Sequence, residues 1–354
     1  MSIVSIPRTI ADPWHDYFSS CLFYPGVKEH ITALPLSPVP YDAGLCGGNV
    51  KIMDVLGAGR GIFAQRDFQA GELILRERPL LVIPKIFPPN TPYISWIQMT
   101  ASALPDLQKT RLYALRNCKT QDPKDDSGII STNALPIGTL PGFRIMHVAV
   151  HYLISHANHS CSPNACHSWD ILSWTSGLRA ARPIRAGEQI TVTYTDVFAP
   201  AATRATQLRG WAFACTCPAC ALPASERKRS DARRAVLGSL ASSTESMGAQ
   251  DADIRAWARD AARADDHVVQ KYLRFAGMME EEALDEPGAW VAIARPLVKA
   301  YCALEDGGNA KRWAKKAMEM HMAASGKDGG WGTVLGRPEG SEWWGLRARG
   351  GAAA

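Results

Sequence analysis

The sequence has no apolar run approaching the ~20 residues that a membrane-spanning helix needs, although 46% of its 354 residues are hydrophobic. Around Arg8 and Asp12 there is no apolar stretch of the kind a secretory leader carries, so no secretory signal and no membrane association are expected. Strong charge is missing as well. With 39 Lys and Arg against 34 Asp and Glu, the net charge is +5. That balance is compatible with touching nucleic acid or an acidic surface but argues for neither, and no direct nucleic-acid partner is expected. A disulfide framework is also lacking. The nine cysteines are an odd count, and Cys21, Cys46, Cys118, Cys166 and Cys302 stand singly. This pattern suits a reducing compartment, nucleus or cytoplasm, and one metal cluster.

What is present begins with Asn158-His159-Ser160-Cys161-Ser162-Pro163-Asn164, which packs polar side chains, a thiol and a rigid Pro into seven residues. It lies between apolar Leu153-Ile154 and an aromatic, strand-like Trp169–Trp174, so it reads as a loop between buried elements, where irregular backbone can present groups to a ligand. A Pro-Asn turn with one buried Cys is the plain alternative. Upstream, Asn49–Val55 alternates as a strand and runs into Gly57, Gly59 and Gly61, which permit close backbone approach. These glycines lack the spacing and the following helix of a dinucleotide fingerprint, which excludes a Rossmann reading. Downstream, Gly187–Tyr194 is a turn leading into a β-rich run. Cys215, Cys217 and Cys220 then supply three thiols at metal-ligand spacing, one short of a tetrahedral site. Three buried thiols without metal remain the alternative.

Four separated stretches, Gly59-Arg60-Gly61, Asn158–Asn164, Glu188–Tyr194 and the cysteine cluster, together resemble the SET-domain lysine methyltransferases. The segment from Thr193 through Gln207-Leu208-Arg209 to Phe213-Ala214-Cys215 is most similar to the SET-and-MYND branch and its fungal relatives. The resemblance covers Lys51 to Cys220. It implies S-adenosylmethionine as cofactor, held near Ala58, Gly59, Arg60, Gly61, Asn133, Asn158, His159, Tyr194 and Phe213. It implies Tyr194 as the catalytic residue that orients the substrate amine, although strand packing alone would also explain a Tyr there. It supplies Cys161 as the fourth ligand beside Cys215, Cys217 and Cys220, giving a closed, structural zinc site. In the resemblance His159 holds cofactor and is not a general base. Trp211 stands where those relatives carry a Tyr, and the connection from Arg209 is one residue shorter, which bears on substrate preference and turnover. A MYND zinc module needs four ligands and this chain offers only Cys118 nearby, so that module is absent.

The expected fold class is α+β: a SET-type β fold of short strands with a knot-like crossing, followed by an α-helical, tetratricopeptide-like region. Residues 1–48 read as an irregular extension with a short helix around Trp14–Cys21. Residues 49–222 read as the SET domain, with an insertion at about 85–145 that holds two helices over Tyr93–Asn117, a polar loop at Asp122–Gly128, and the cysteine cluster at 215–220. Leu178–Ile184 is expected as a strand. Residues 223–326 carry helical apolar spacing at Ile254, Trp257, Val268 and Tyr272 up to a capping Gly277, then at Trp290, Leu297 and Tyr301 up to a turn at Gly307-Gly308-Asn309. These helices are a candidate surface for partner proteins. Arg227-Lys228-Arg229 with Arg233-Arg234 reads either as a nuclear signal or as a solvated helix face. Residues 327–354 form a Gly-rich tail with a disordered end. The expected activity is methyl transfer to protein lysine; the rival is a non-catalytic SET-like interaction module.

Overall fold

The computed structural model describes residues 1–6, 18–36, 47–242 and 247–351. The first half is short strands with helices set between them. In chain order these are β1 (Ser2–Ile6), β2 (Ser19–Phe23), α1 (Val27–Ala33), β3 (Val50–Val55), β4 (Gly59–Ala64), β5 (Leu73–Glu77) and β6 (Leu81–Pro84). Next come α2 (Tyr93–Ser102), α3 (Asp106–Tyr113) and α4 (Asp126–Asn133), whose first turn is capped by Asp125 accepting from the Gly128 N–H at 2.9 Å. They are followed by β7 (Leu135–Thr139), β8 (Met146–Val150), the two-residue β9 (Asn158–His159), β10 (Ala165–Asp170), β11 (Thr175–Ala180) and β12 (Gln189–Val192).

These strands form three small sheets, ordered β1-β2-β6-β8-β7, β10-β11-β5 and β3-β4-β12-β9. The two smaller sheets share a core that includes Ile62, Ile74, Leu75, Leu178 and Ile190, all fully buried, each contributing about 1.5–3 kcal/mol of transfer free energy. The pairing that matters most for function is the parallel one between β9 and β12, which sets Asn158 opposite Thr191 and His159 opposite Val192. Two strands separate β9 and β12 in sequence. The crossing therefore brings the seven-residue motif beside the strand that leads to Tyr194.

The second half is helical: α5 (Ala201–Leu208), α6 (Ala224–Ala241), α7 (Met247–Arg259), α8 (His267–Glu281), α9 (Pro287–Ala303), α10 (Gly307–Ser325), α11 (Gly332–Gly336) and α12 (Leu346–Gly351). Trp257, Trp290, Trp313 and Trp343 anchor its core. The architecture is α+β, a sheet-built half carrying the motifs and a helical half packed behind them.

Several expectations are corrected. In the N-terminal stretch, β2 is buried along its whole length and pairs with β1 and β6. A strand buried on both faces shows no alternation, which hid it. Of the helix expected around Trp14–Cys21, residues 14–17 lie outside the described residues, and Ser19–Cys21 is strand. Trp169–Trp174 is not one strand: β10 ends at Asp170, whose side chain accepts from the Leu172 N–H at 3.1 Å and from the Ser173 hydroxyl at 2.7 Å, closing a hairpin turn. Register then places β11 at Thr175–Ala180 instead of Leu178–Ile184. The expected loop at Asp122–Gly128 gives way to α4 from Asp126. Gly277 lies inside α8, and Gly307–Asn309 opens α10 under an Asp306 cap at 2.9 Å from the Asn309 N–H. The Gly-rich tail is folded as far as it is described: Trp343 is 4% exposed and sits in the helical core. Its last residues, 352–354, lie outside the described residues.

Candidate active site and metal centre

The motif is entered through a carboxylate. Glu77, at the end of β5, accepts the N–H groups of Tyr152 at 2.8 Å, Leu153 at 3.0 Å and Ile154 at 2.9 Å, and so closes the turn that leads to Asn158. Burial pushes the Glu77 carboxyl up, and these three donors oppose that shift. At the other end of the motif, Asn164 is 2% exposed. Its Oδ1 accepts the Thr191 N–H at 2.8 Å, and its Nδ2 donates to the Gln189 carbonyl and the Glu188 carboxylate, each at 2.9 Å. One amide thus stitches the motif to β12.

Between these anchors, the Asn158 Nδ2 donates to the Arg60 carbonyl at 3.2 Å. A Cβ on Gly61 would lie 2.5 Å from the Gln189 Nε2 and 2.9 Å from the Asn158 Nδ2, so a side chain there would have to displace the Asn158 or Gln189 amide. Tyr194 follows β12. Its N–H donates to the His159 Nδ1 at 3.0 Å, and its hydroxyl donates to the Ala157 carbonyl at 2.8 Å. Because a backbone N–H can only donate, the His159 Nδ1 must accept. The ring hydrogen is therefore on Nε2, which faces the Cys161 Sγ at 3.2 Å. Burial pushes the Tyr194 hydroxyl up to about 12 and His159 down to about 4. Both are uncharged near pH 7.

Ala58, Arg60, Asn133, Asn158, His159, Tyr194 and Phe213 line one cavity. Gly59 and Gly61 do not line it; they shape β4 behind it, Gly59 at φ +72°. Asn133 ends α4, and its Nδ2 donates to the carbonyls of Ile129 and Arg116, both at 2.7 Å. With both amide hydrogens engaged, Asn133 has only its oxygen to offer a ligand. The rings form a box, with centroids 5.4 Å apart for His159–Tyr194, 5.3 Å for Tyr194–Trp211 and 6.2 Å for His159–Phe213. Trp211 is held by its Nε1 donating to the Thr132 carbonyl at 3.1 Å. Ala212 between the two aromatics takes φ +56°, a left-handed conformation that turns both rings to the cavity. Leu115, Arg116, Cys118, Thr132, Ser155 and His156 also line it and were not foreseen. They come from the ends of α3 and α4 and from the turn closed by Glu77, none of which carries a sequence pattern. No carboxylate lines the cavity among the described residues.

Cys161, Cys215, Cys217 and Cys220 come together, their sulfurs all within 4.8 Å of one another and Cys161–Cys220 at 3.5 Å. The latter separation is far longer than a disulfide at about 2.05 Å. It is close to the roughly 3.8 Å edge of a tetrahedron with metal–sulfur bonds of about 2.3 Å. Hydrogen bonds from the neighbouring thiols, Cys161 first, hold Cys217 well below the ordinary thiol value and lower Cys220 to about 6. An all-thiol donor set of this size fits zinc and leaves no open coordination position. Among the described residues no second metal-binding group is found. The centre is braced from the helical half. Arg234 on α6 donates to the carbonyls of Cys161 at 3.0 Å and Val197 at 2.5 Å and pairs with Glu282 at 2.8 Å, while the Ser162 hydroxyl donates to the Glu282 carbonyl at 3.0 Å.

The SET-domain family profile matches residues 59–195, the stretch that holds the strand crossing, the Asn158 motif and Tyr194. Among individual proteins, the chain is 28% identical over 189 residues to histone-lysine N-methyltransferase set5 of Schizosaccharomyces pombe, covering 53% of this chain and 55% of that protein. It is 40% identical over 78 residues to histone-lysine N-methyltransferase SET5 of Meyerozyma guilliermondii, covering 21% of this chain and 16% of that one. It is 36% identical over 74 residues to a SET and MYND domain-containing protein of Dictyostelium discoideum, covering 21% and 19%. The chain therefore spans about half or less of the length of these curated relatives. No helix among the described residues is long and apolar enough to cross a membrane.

Proposed function

We propose that this chain is an S-adenosylmethionine-dependent methyltransferase acting on lysine side chains of a protein. Histones are the first substrate class to test, because the relatives are named histone-lysine N-methyltransferases; a histone substrate would place the protein in the nucleus. The observation that carries the reading is Tyr194, its hydroxyl fixed on the Ala157 carbonyl, at the wall of the cavity that Asn158, His159 and Phe213 share.

The cavity suits the cofactor's mixed chemistry. Phe213 and Trp211 offer aromatic faces for a purine, and Arg60 and Arg116 offer cations for a carboxylate. Asn158 and the Asn133 oxygen add polar contacts. Bound there, S-adenosylmethionine supplies an electrophilic methyl group. The residues of the chain do the rest by position and solvation. A lysine of pKa about 10.4 costs roughly 4.6 kcal/mol to neutralise at pH 7. Among the described residues no carboxylate lines the cavity to hold its ammonium form, while two guanidinium groups disfavour it. Tyr194 stays protonated and holds the amine nitrogen in line without taking its proton, which leaves to solvent. Zinc on Cys161, Cys215, Cys217 and Cys220 would fix the cysteine loop and, two residues from His159, the wall of the cavity. It takes no part in the chemistry.

The rival reading, a non-catalytic interaction module, draws on Trp211 in the place of a Tyr. Transfer of label from cofactor onto histones and onto a cell lysate, comparing wild type with Tyr194→Phe, separates the two. Labelled lysine lost in the variant supports the enzyme. Cofactor binding without any transfer supports the module.

A further inference from the structure

Helix α5 carries Arg204, which is 1% exposed. Its Nε donates to the Cys161 Sγ at 3.2 Å, and its NH1 donates to the Ala199 carbonyl at 2.5 Å. Burial works against its charge, and the neighbouring Cys161 and Cys220 sulfurs work for it. Arg234, equally withdrawn from solvent, makes the contrast plain because it rests on the Glu282 carboxylate at 2.8 Å. Among the described residues Arg204 forms no ion pair with Asp or Glu. A buried guanidinium without a counter-charge is strongly unfavourable. Four thiolates around a divalent ion carry a net double negative charge, also buried here on the Cys161 side. Each needs the other.

We propose that Arg204 is a positioning residue of the metal centre, the buried counter-charge that keeps the four-cysteine cluster in its metal-holding arrangement. It does so through an N–H···S bond to Cys161, the one ligand that comes from the cavity side. The proposal rests on the zinc reading above. The Cys161 Sγ then receives two donors, Arg204 Nε and His159 Nε2, both at 3.2 Å. His159 in turn holds the Tyr194 N–H, so a shift of this sulfur would reach the tyrosine through one imidazole.

The test begins with zinc per chain in the purified wild-type protein. No zinc overturns the zinc reading, and this proposal with it. With zinc present, release to a chelator is timed for wild type, Arg204→Met and Arg204→Lys, and each is also loaded with cobalt to record its thiolate-to-metal charge-transfer band. The expected result is release about 10–100 times faster in Arg204→Met, as for lost partners around other metal ligands. The cobalt band should move to lower energy, and Arg204→Lys should fall between. Retention of zinc at the wild-type rate with an unmoved band in Arg204→Met would overturn the role of Arg204 while leaving the zinc reading intact. If Arg204→Met yields no folded protein, the band of Arg204→Lys decides: the lysine keeps the charge but cannot place the same N–H on the sulfur, so a shift supports the proposal and an unmoved band rejects it.

Discussion

Replacing Asn164 should show how much of the fold hangs on one side chain. In Asn164→Ala the Thr191 N–H loses its 2.8 Å acceptor, and the Gln189 carbonyl loses its 2.9 Å donor. Each backbone group left unpaired in a buried place costs about 1–3 kcal/mol. The expected destabilisation is therefore about 2–6 kcal/mol, a large part of the roughly 5–15 kcal/mol that holds a typical domain. Urea unfolding followed by tryptophan fluorescence measures it as a fall in midpoint. Asn164→Asp sharpens the test. It keeps the acceptor for Thr191 but places a carboxyl where Nδ2 now meets the Glu188 Oε1 at 2.9 Å. Two carboxyls so close must share a proton, so the folded-state pKa of the pair rises above its unfolded value near 4. The variant should then be best tolerated at low pH and lose stability as pH rises through that raised value. A loss below about 1 kcal/mol for Asn164→Ala, or an Asn164→Asp protein as stable at pH 8 as at pH 5, would refute the reasoning.

Four further outcomes are expected. Cys217→Ser should release zinc, as read by elemental analysis, and loosen the Phe213 wall of the cavity; zinc retained at one per chain would contradict the four-thiol site. Asn158→Ala should abolish S-adenosylmethionine binding in calorimetry while the fold survives, and unchanged affinity would remove Asn158 from the site. Tyr194→Phe should slow methyl transfer by something like 10²–10³-fold with little change in cofactor affinity, and wild-type activity should climb with pH toward about 9 as more lysine loses its proton; a flat profile would mean that some group of the protein takes the proton. His167 is lowered to about 4 and His151 well below its ordinary value, both by burial, and their rings lie 5.9 Å apart. Both are neutral in the fold and take up protons near pH 6.5 when unfolded. Their contribution is complete above that value and falls as pH drops toward about 4, at up to about 1.4 kcal/mol per pH unit for each ring. His167→Gln should lessen the fall in urea midpoint between pH 7 and pH 5; an equal fall in both proteins would sink the assignment.

The parts of the site that were legible are those whose chemistry forces a residue type. At Gly61 the Asn158 and Gln189 side chains crowd the place of a Cβ, and Cys215, Cys217 and Cys220 carry metal-ligand spacing, to which the family resemblance added Cys161. Asn158, His159, Tyr194 and Phe213 were legible only jointly, through four motifs in one order. The opposite wall was not legible. Arg116, Cys118, Thr132 and His156 reach the cavity through where α3, α4 and the Glu77-capped turn happen to end, and element ends follow tertiary packing more than local pattern. Strand β2 was missed for a related reason, since burial on both faces erases the alternation by which a strand is read. Arg204 and Glu77 were missed because a charged residue in a mixed stretch reads as surface until its burial is known.

The brace from α6 changes where the candidate site ends as a physical object. The family profile stops at residue 195, yet the backbone of Cys161 hangs from Arg234, and Arg234 is held in place by Glu282. The backbone beside the candidate cavity is thus held by residues nearly ninety positions beyond the matched domain. Substitution of Glu282, in a region without any catalytic motif, should disturb the candidate cavity and lower stability together, because it strands a buried guanidinium.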